Sequence, residues 1–240
     1  MINPKLDLNK YSKAFKKNKV IRIENFLDKD YADKIYNFYS KEMPRDWWYY
    51  STMPKRPGIN EQTDNLRLSN IKHNPEVNSL VSYKSSLANE HFQLGNFSYS
   101  FKRTIDNHGK DCPCMECNLK SFLNSKKGID FINTITNYGV INSSSLFSSL
   151  YEYNDFLAIH HDGPNGKIGF VYNLCPNWKP DWGGLLHTLS QDKTKVINTY
   201  VPQFNSLTLF DSSTDTGYPH YVSHVVNKNV QRFSMAGWYK

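Results

Sequence analysis

The sequence predicts a mainly β domain, a sandwich or barrel preceded by helices, and three observations carry that expectation. Short apolar or alternating runs recur from residue 150 onward, at 150–159, 168–174, 201–210 and around His220 and Arg232, with Gly, Pro, Asn or Asp between them. Before residue 150 the pattern changes to one that suits helices, at 8–18, 28–39 and 118–137. Aromatic residues make up 15% of the 240 residues and bury large areas each, so a packed core is within reach although only 39% of the chain is apolar.

In chain order, residues 8–18 read as a short charged helix, and Lys19 to Ile23 alternate as a strand. Asp28 is a suitable N-cap for a following helix whose inner face would carry Ala32, Ile35, Tyr36 and Tyr39. Four consecutive aromatics, Trp47 to Tyr50, predict a strand buried on both faces, and the turn-rich loop after it, with Lys55 and Arg56, is a candidate wall of a substrate groove. Residues 59–100 are polar and weakly patterned, read as helix and loop, with a strand at 96–103. Residues 118–137 predict a helix, followed by a serine-rich turn at Ser143, Ser144 and Ser145. After the 163–166 turn come the strand at 168–174, a hairpin through Gln191, Asp192 and Lys193, and the closing strands. No internal repeat or low-complexity linker divides the chain, so 1–240 is expected to be a single domain.

Composition narrows the function classes. No apolar run approaches the ~20 residues a membrane helix needs, and the N-terminus lacks a signal peptide's apolar stretch, which predicts a soluble, cytoplasmic protein. Four cysteines, three of them crowded at Cys112, Cys114 and Cys117, do not make a paired disulfide framework. The formal charge of +7 permits a nucleic-acid partner, but the lysines are dispersed and the cluster from Lys13 to Lys19 reads as a solvated helix face. His108 with the three crowded thiols is the inventory of a structural zinc site, of a reduced metal-free loop, or of a redox pair.

The chemistry concentrates at His160, His161 and Asp162. Side chains two apart on a strand share a face, so His160 and Asp162 can converge while His161 and, further on, His187 read as outward or core-lining imidazoles. A third ligand is then sought downstream, where His220 and His224, four apart, would share a strand face. Two histidines and one carboxylate with open positions form the ligand set of non-haem Fe(II) oxygenases.

Glu152 to Asp155 after Tyr151, the His160-x-Asp162 pair, Trp178 with Gly183 and Gly184, Pro202 with Phe210, and the run from Arg232 to Trp238 resemble the 2-oxoglutarate and Fe(II)-dependent oxygenases. Among these the chain is most similar to the prolyl hydroxylases that modify a ribosomal protein, and more distantly to the hypoxia-factor and collagen enzymes. The resemblance implies a double-stranded β-helix, a cupin-like jelly roll, with about 148–240 as the metal and co-substrate core and about 1–147 as helical support, strands and substrate loops. Relatives carry a second jelly roll, for which these 240 residues have no counterpart, so the identity of the substrate is not carried over.

Position by position, the resemblance implies iron held by His160, Asp162 and His220, the last twelve residues before Arg232. It implies 2-oxoglutarate bound by Arg232 and Ser234 with Tyr151 nearby, and Asn173 where relatives place a co-substrate tyrosine. A guanidinium suits the task because it grips a carboxylate through two parallel hydrogen bonds. The implied reaction uses O₂, with ascorbate as a candidate accessory reductant, to hydroxylate an unactivated C–H with release of succinate and CO₂. Its expected substrate is a prolyl residue of a protein or peptide, the alternatives being a free amino acid or other small metabolite, or no reaction in a non-catalytic jelly-roll binding module. The tail lacks the second downstream arginine of nucleic-acid repair oxygenases, which argues against a nucleic-acid substrate.

Overall fold

Each N-terminal element starts and stops on local chemistry. The Asp7 side chain accepts from Lys10 N–H and opens helix α1 (Leu8–Asn18), which ends at Lys19 in the left-handed region and delivers the chain into strand β1 (Val20–Ile23). Asp28 caps α2 (Lys29–Asn37), whose buried Ala32 and Ile35 continue onto Tyr39 in the turn that follows. The computed structural model describes residues 1–54, 66–104, 108, 111–213 and 217–240. Lys55 and Arg56, considered above for a groove wall, lie outside the described residues.

Strand β2 (Trp48–Met53) is buried along both faces, as its run of aromatics predicts. The weakly patterned region beyond it resolves into two helices, α3 (Leu68–His73) and α4 (Pro75–Gln93); Asn74 caps α4 and Pro75 sits at its first position, where a missing N–H costs nothing. Strand β3 covers Tyr99–Thr104, slightly later than expected. The single helix expected at 118–137 is two, α5 (Met115–Leu123) and α6 (Lys126–Thr136), because Ser125 accepts from Gly128 N–H and starts a new helix.

The expected serine turn at 143–145 is instead the start of β4 (Ser143–Tyr151), a strand bent by a bulge. Ser145 has φ 52, and the partner register skips between Ala236 and Trp238, so the irregular backbone that serines suggested is absorbed inside a ladder. The alternating run 150–159 is likewise not one strand. Asp155 Oδ2 accepts from Glu152 N–H at 2.7 Å, the chain turns there, and β5 (Phe156–His160) begins afresh.

The remaining strands are β6 (Ile168–Asn173), β7 (Leu186–Leu189), β8 (Val196–Tyr200), β9 (Ser206–Asp211), β10 (His220–Val222) and β11 (Arg232–Tyr239). Their order is β1-β9-β6-β11-β4-β3-β5-β10-β7-β8, with β2 added to β3, and all pairings are antiparallel. Strand β3 makes the corner: Lys102 and Arg103 pair with β4, while Tyr99 and Ser100 pair with β5. The sheet therefore curls into a half-barrel of jelly-roll type, and strands from before residue 148 complete it.

Helices α1, α2, α5 and α6 cover the broader half of the sheet, where Phe15, Ile35, Leu119 and Ile132 pack with Phe170, Leu209 and Tyr239. The exposed Lys13, Lys16 and Lys17 of α1 form a solvated face, as expected. Among the described residues no helix is long and apolar enough to cross a membrane.

Candidate active site

His160 is the last residue of β5 and His220 the first of β10, and the two are direct cross-strand partners. Adjacent antiparallel positions stand ~5 Å apart, so the ladder itself brings the two imidazoles together, with ring centroids 4.3 Å apart. Each ring is oriented by its own backbone. His160 Nδ1 lies 2.9 Å from the Ala158 carbonyl and His220 Nδ1 lies 3.1 Å from the Tyr218 carbonyl, so each Nδ1–H donates to a carbonyl and leaves Nε2 as a lone-pair donor.

Asp162 reaches the same point by a route different from the shared strand face that its spacing suggests. It lies beyond the end of β5 with helical backbone angles, φ −71 and ψ −21, and the turn swings its carboxylate back under the rings. Oδ1 is 3.6 Å from His160 Nε2, and Oδ2 is 3.8 Å from His220 Nε2. The three donor atoms lie within 4.8 Å of one another. Asp162 Oδ2 is buried with no hydrogen-bond partner, a costly state for a carboxylate oxygen that a cation would relieve.

Electrostatics suit metal ligation. Burial drives the His220 pKa down to about 4, so its imidazole is neutral at pH 7. Burial alone would raise that of Asp162, but its contacts with the two imidazoles outweigh burial and hold the carboxyl below its ordinary value.

The ligands open onto a cavity lined by apolar groups, among them Phe101, Phe147, Leu157 and Trp238, and Arg232 stands in its wall. Arg232 is 2% exposed, yet its hydrogen bonds go to neutral acceptors: Gly184 O at 2.9 Å, Ser234 Oγ at 3.0 Å and Asn173 Oδ1 at 3.4 Å. Among the described residues no carboxylate pairs with it. A buried guanidinium without a counter-charge is expensive, and burial lowers its pKa, so the cavity is electrostatically prepared for an anion. The Gly183–Gly184 pair makes this arrangement possible. Both have positive φ, and a Cβ on Gly184 would press within 3.1 Å of Arg232 Cδ.

Other candidate residues fall into distinct places. Tyr151 lines the cavity, stacked on Phe101 at 4.8 Å, with the Arg232 guanidinium 5.0 Å from its ring centroid. Ser234 also lines it and shares a 2.8 Å hydrogen bond with Ser149. Asn173 stands behind Arg232 as a hydrogen-bond acceptor rather than in the cavity lining. His161 is exposed, and His187 stacks on Tyr221. His224 does not share a strand with His220, because β10 ends at Val222; it stacks on Phe156 at 4.2 Å, and its Nε2 meets Asn89 Oδ1 at 3.1 Å, docking α4.

Residues 146–240 match the model of the 2OG-Fe(II) oxygenase superfamily. That C-terminal part of the chain is therefore similar to the 2OG-Fe(II) oxygenases. The chain is 25% identical over 169 residues to the mouse (Mus musculus) prolyl 3-hydroxylase OGFOD1, an alignment covering 65% of this chain and 29% of that protein. The chain thus spans under a third of the length of this curated relative. Its fold is similar to a Trichoplax adhaerens prolyl hydroxylase solved with a hypoxia inducible factor peptide, with TM-score 0.59 and 20% identity over 97% of this chain and 88% of that one. It is also similar to a 2OG-Fe(II) oxygenase family oxidoreductase from Burkholderia pseudomallei, with TM-score 0.59 and 13% identity over 100% of this chain and 93% of that one.

Two contributions to this site went unread in the sequence. Ser149 precedes Tyr151 by two on β4, so strand periodicity places both on the cavity face. Lys102 carries no such signal. Buried on β3, it reaches Asp155 at 2.6 Å and Glu152 at 3.0 Å, and so fixes the turn from which β5 carries His160 into place. Burial opposes its charge, but the two carboxylates outweigh that and hold its pKa above the ordinary lysine value.

Proposed function

We propose that this chain is an Fe(II)- and 2-oxoglutarate-dependent dioxygenase that hydroxylates a prolyl residue of a protein or peptide, with residues 1–240 acting as one domain. One observation carries the reading: three metal donors and a buried, uncompensated arginine face the same apolar cavity. The donor set, two imidazoles and one carboxylate whose Oδ2 lacks a partner, fits ferrous iron. With iron and 2-oxoglutarate bound, the site supplies the oxidising power for C–H hydroxylation while the co-substrate leaves as succinate and CO₂.

The chain's own residues do the rest. His160, Asp162 and His220 would hold the metal at the cavity that they line. Arg232 would grip the distal carboxylate of 2-oxoglutarate, with the Ser234 hydroxyl as a second donor and Asn173 keeping the guanidinium plane fixed. Phe101, Phe147 and Trp238 line the cavity with apolar surface and would keep bulk water from the reacting centre. The Asp162 carboxylate would itself be a metal ligand, which favours hydroxylation over halogenation. Ascorbate fits as an accessory reductant. A reducing, cytoplasmic setting agrees with four free thiols.

The similarity to OGFOD1, a prolyl 3-hydroxylase by name, is what favours a prolyl substrate over a free amino acid. The test is mass spectrometry of proline-containing peptides and free amino acids after incubation with the iron-loaded chain, O₂ and 2-oxoglutarate. A gain of one oxygen on a peptide proline with matched succinate is expected. Oxidation of free amino acids alone would overturn the substrate class, and absence of succinate under every condition would overturn the enzyme.

A further inference from the structure

A second donor cluster lies outside the cavity. His108, Cys112, Cys114 and Cys117 bring four ligand atoms within 4.8 Å of one another, and all three cysteines are free. The imidazole is specifically posed. His108 is stacked on Trp47 at 3.9 Å, and its Nε2 lies 3.3 Å from Glu116 Oε2. Its Nδ1 points the other way, 3.6 Å from Cys114 Sγ and 3.5 Å from Cys117 Sγ. A zinc tetrahedron with Zn–S of about 2.3 Å and Zn–N of about 2.0–2.1 Å has an N···S edge of about 3.6 Å, which these separations match.

The surroundings point the same way. A metal-bound histidine ordinarily hands its other ring N–H to a carboxylate, which fixes the tautomer, and Glu116 stands where that acceptor belongs. Glu116 is fully buried and is itself held by Thr104 Oγ1 at 2.8 Å, Ser148 Oγ at 2.7 Å and Lys120 at 3.0 Å. Cys114 caps α5, and its sulfur accepts from Cys117 N–H at 3.4 Å, so both sulfurs are held at the start of that helix.

We propose that His108 Nδ1 and the thiolates of Cys112, Cys114 and Cys117 bind one structural zinc ion. Four protein ligands close the site and leave no position for a substrate or water, so its role is a clamp rather than a catalyst. The clamp ties the N-terminus of α5 to Trp47 and, through Glu116 and Ser148, to the outer face of β4, whose inner face carries Ser149 and Tyr151. Binding releases the thiol protons to solvent, one for each cysteine that was protonated, with no change of oxidation state. The inference is independent of the iron site.

The experiment is metal analysis of the full chain purified under reducing conditions, with thiol titration on the same sample. About one zinc per chain is expected, and titration with a mercurial should release it. Cys117→Ser should lose it, whereas Asp162→Ala should keep it. Because Cys117→Ser could fail to fold, cobalt(II) replacement in the wild-type chain is the second reading. Tetrahedral thiolate ligation gives intense visible d–d bands together with near-ultraviolet thiolate-to-cobalt charge transfer. Glu116→Gln should weaken zinc binding roughly 10- to 100-fold as a positioning residue. A chain with fully reduced thiols and no zinc, an octahedral cobalt spectrum, or undiminished zinc in folded Cys117→Ser would overturn the proposal. A native mass short of two hydrogens, marking a disulfide, would do so too.

Discussion

The two donor clusters of this molecule are built on opposite plans. At His160, Asp162 and His220 three donors of nitrogen and oxygen face an apolar cavity and a lone buried arginine. At His108, Cys112, Cys114 and Cys117 four donors, three of them sulfur, face one another and are backed by a carboxylate. The first is held in shape by the protein: backbone carbonyls orient both imidazoles, and the strand ladder sets their spacing. The second joins residues that share no strand, and a metal would supply what the backbone does not. Ligand count and softness thus set an open cluster of nitrogen and oxygen donors apart from a closed one rich in sulfur.

That contrast can be broken most sharply at the open cluster. Asp162→Ala should reduce 2-oxoglutarate turnover to background, read as succinate formation, while leaving zinc content and the unfolding transition nearly unchanged; loss of both metals together would show that the clusters are not independent. Next in size is the ion pair that shapes the route to His160. Lys102→Met strands the buried Asp155 and should cost about 3–5 kcal/mol in denaturant unfolding. The same pair gives the wild type a pH signature. Since Lys102 has a raised pKa in the folded state, its contribution is complete below the ordinary lysine value of about 10.5 and is lost as pH climbs through the higher folded value. Unfolding measured from pH 9 upward should show this loss in the wild type and a flatter profile in Lys102→Met.

Smaller effects sharpen the division of labour. Arg232→Lys keeps the charge but loses the fork, and should raise the 2-oxoglutarate requirement by roughly 10- to 150-fold, about 1.5–3 kcal/mol, with iron still bound. An unchanged requirement would remove Arg232 from the co-substrate site. Smallest is His224→Ala. It should cost about 1–2 kcal/mol of stability through its lost stacking and its contact with Asn89, without loss of iron, whereas His220→Ala should lose the iron. Iron loss in the first and not the second would reverse the assignment.

The sequence by itself determined the β-rich half, the capped α2, the doubly buried β2, and the ligand candidates at His160 and Asp162, because strand period, capping chemistry and donor type are local properties. It could not choose between His220 and His224 from spacing, since an ideal strand puts both on one face. The fold separates the two by ending β10 at Val222, and it is His220 that pairs with His160. Nor could spacing reveal that Ser143 to Ser145 start a strand, that 150–159 breaks at Asp155, or that a lysine far upstream braces that break, because each depends on partners distant along the chain. The crowded cysteines were legible as a metal inventory, but local composition left zinc, a reduced metal-free loop and a redox or disulfide role open. The carboxylate behind His108 and the 3.5–3.6 Å nitrogen-to-sulfur spacing exist only once α5 is packed against β4.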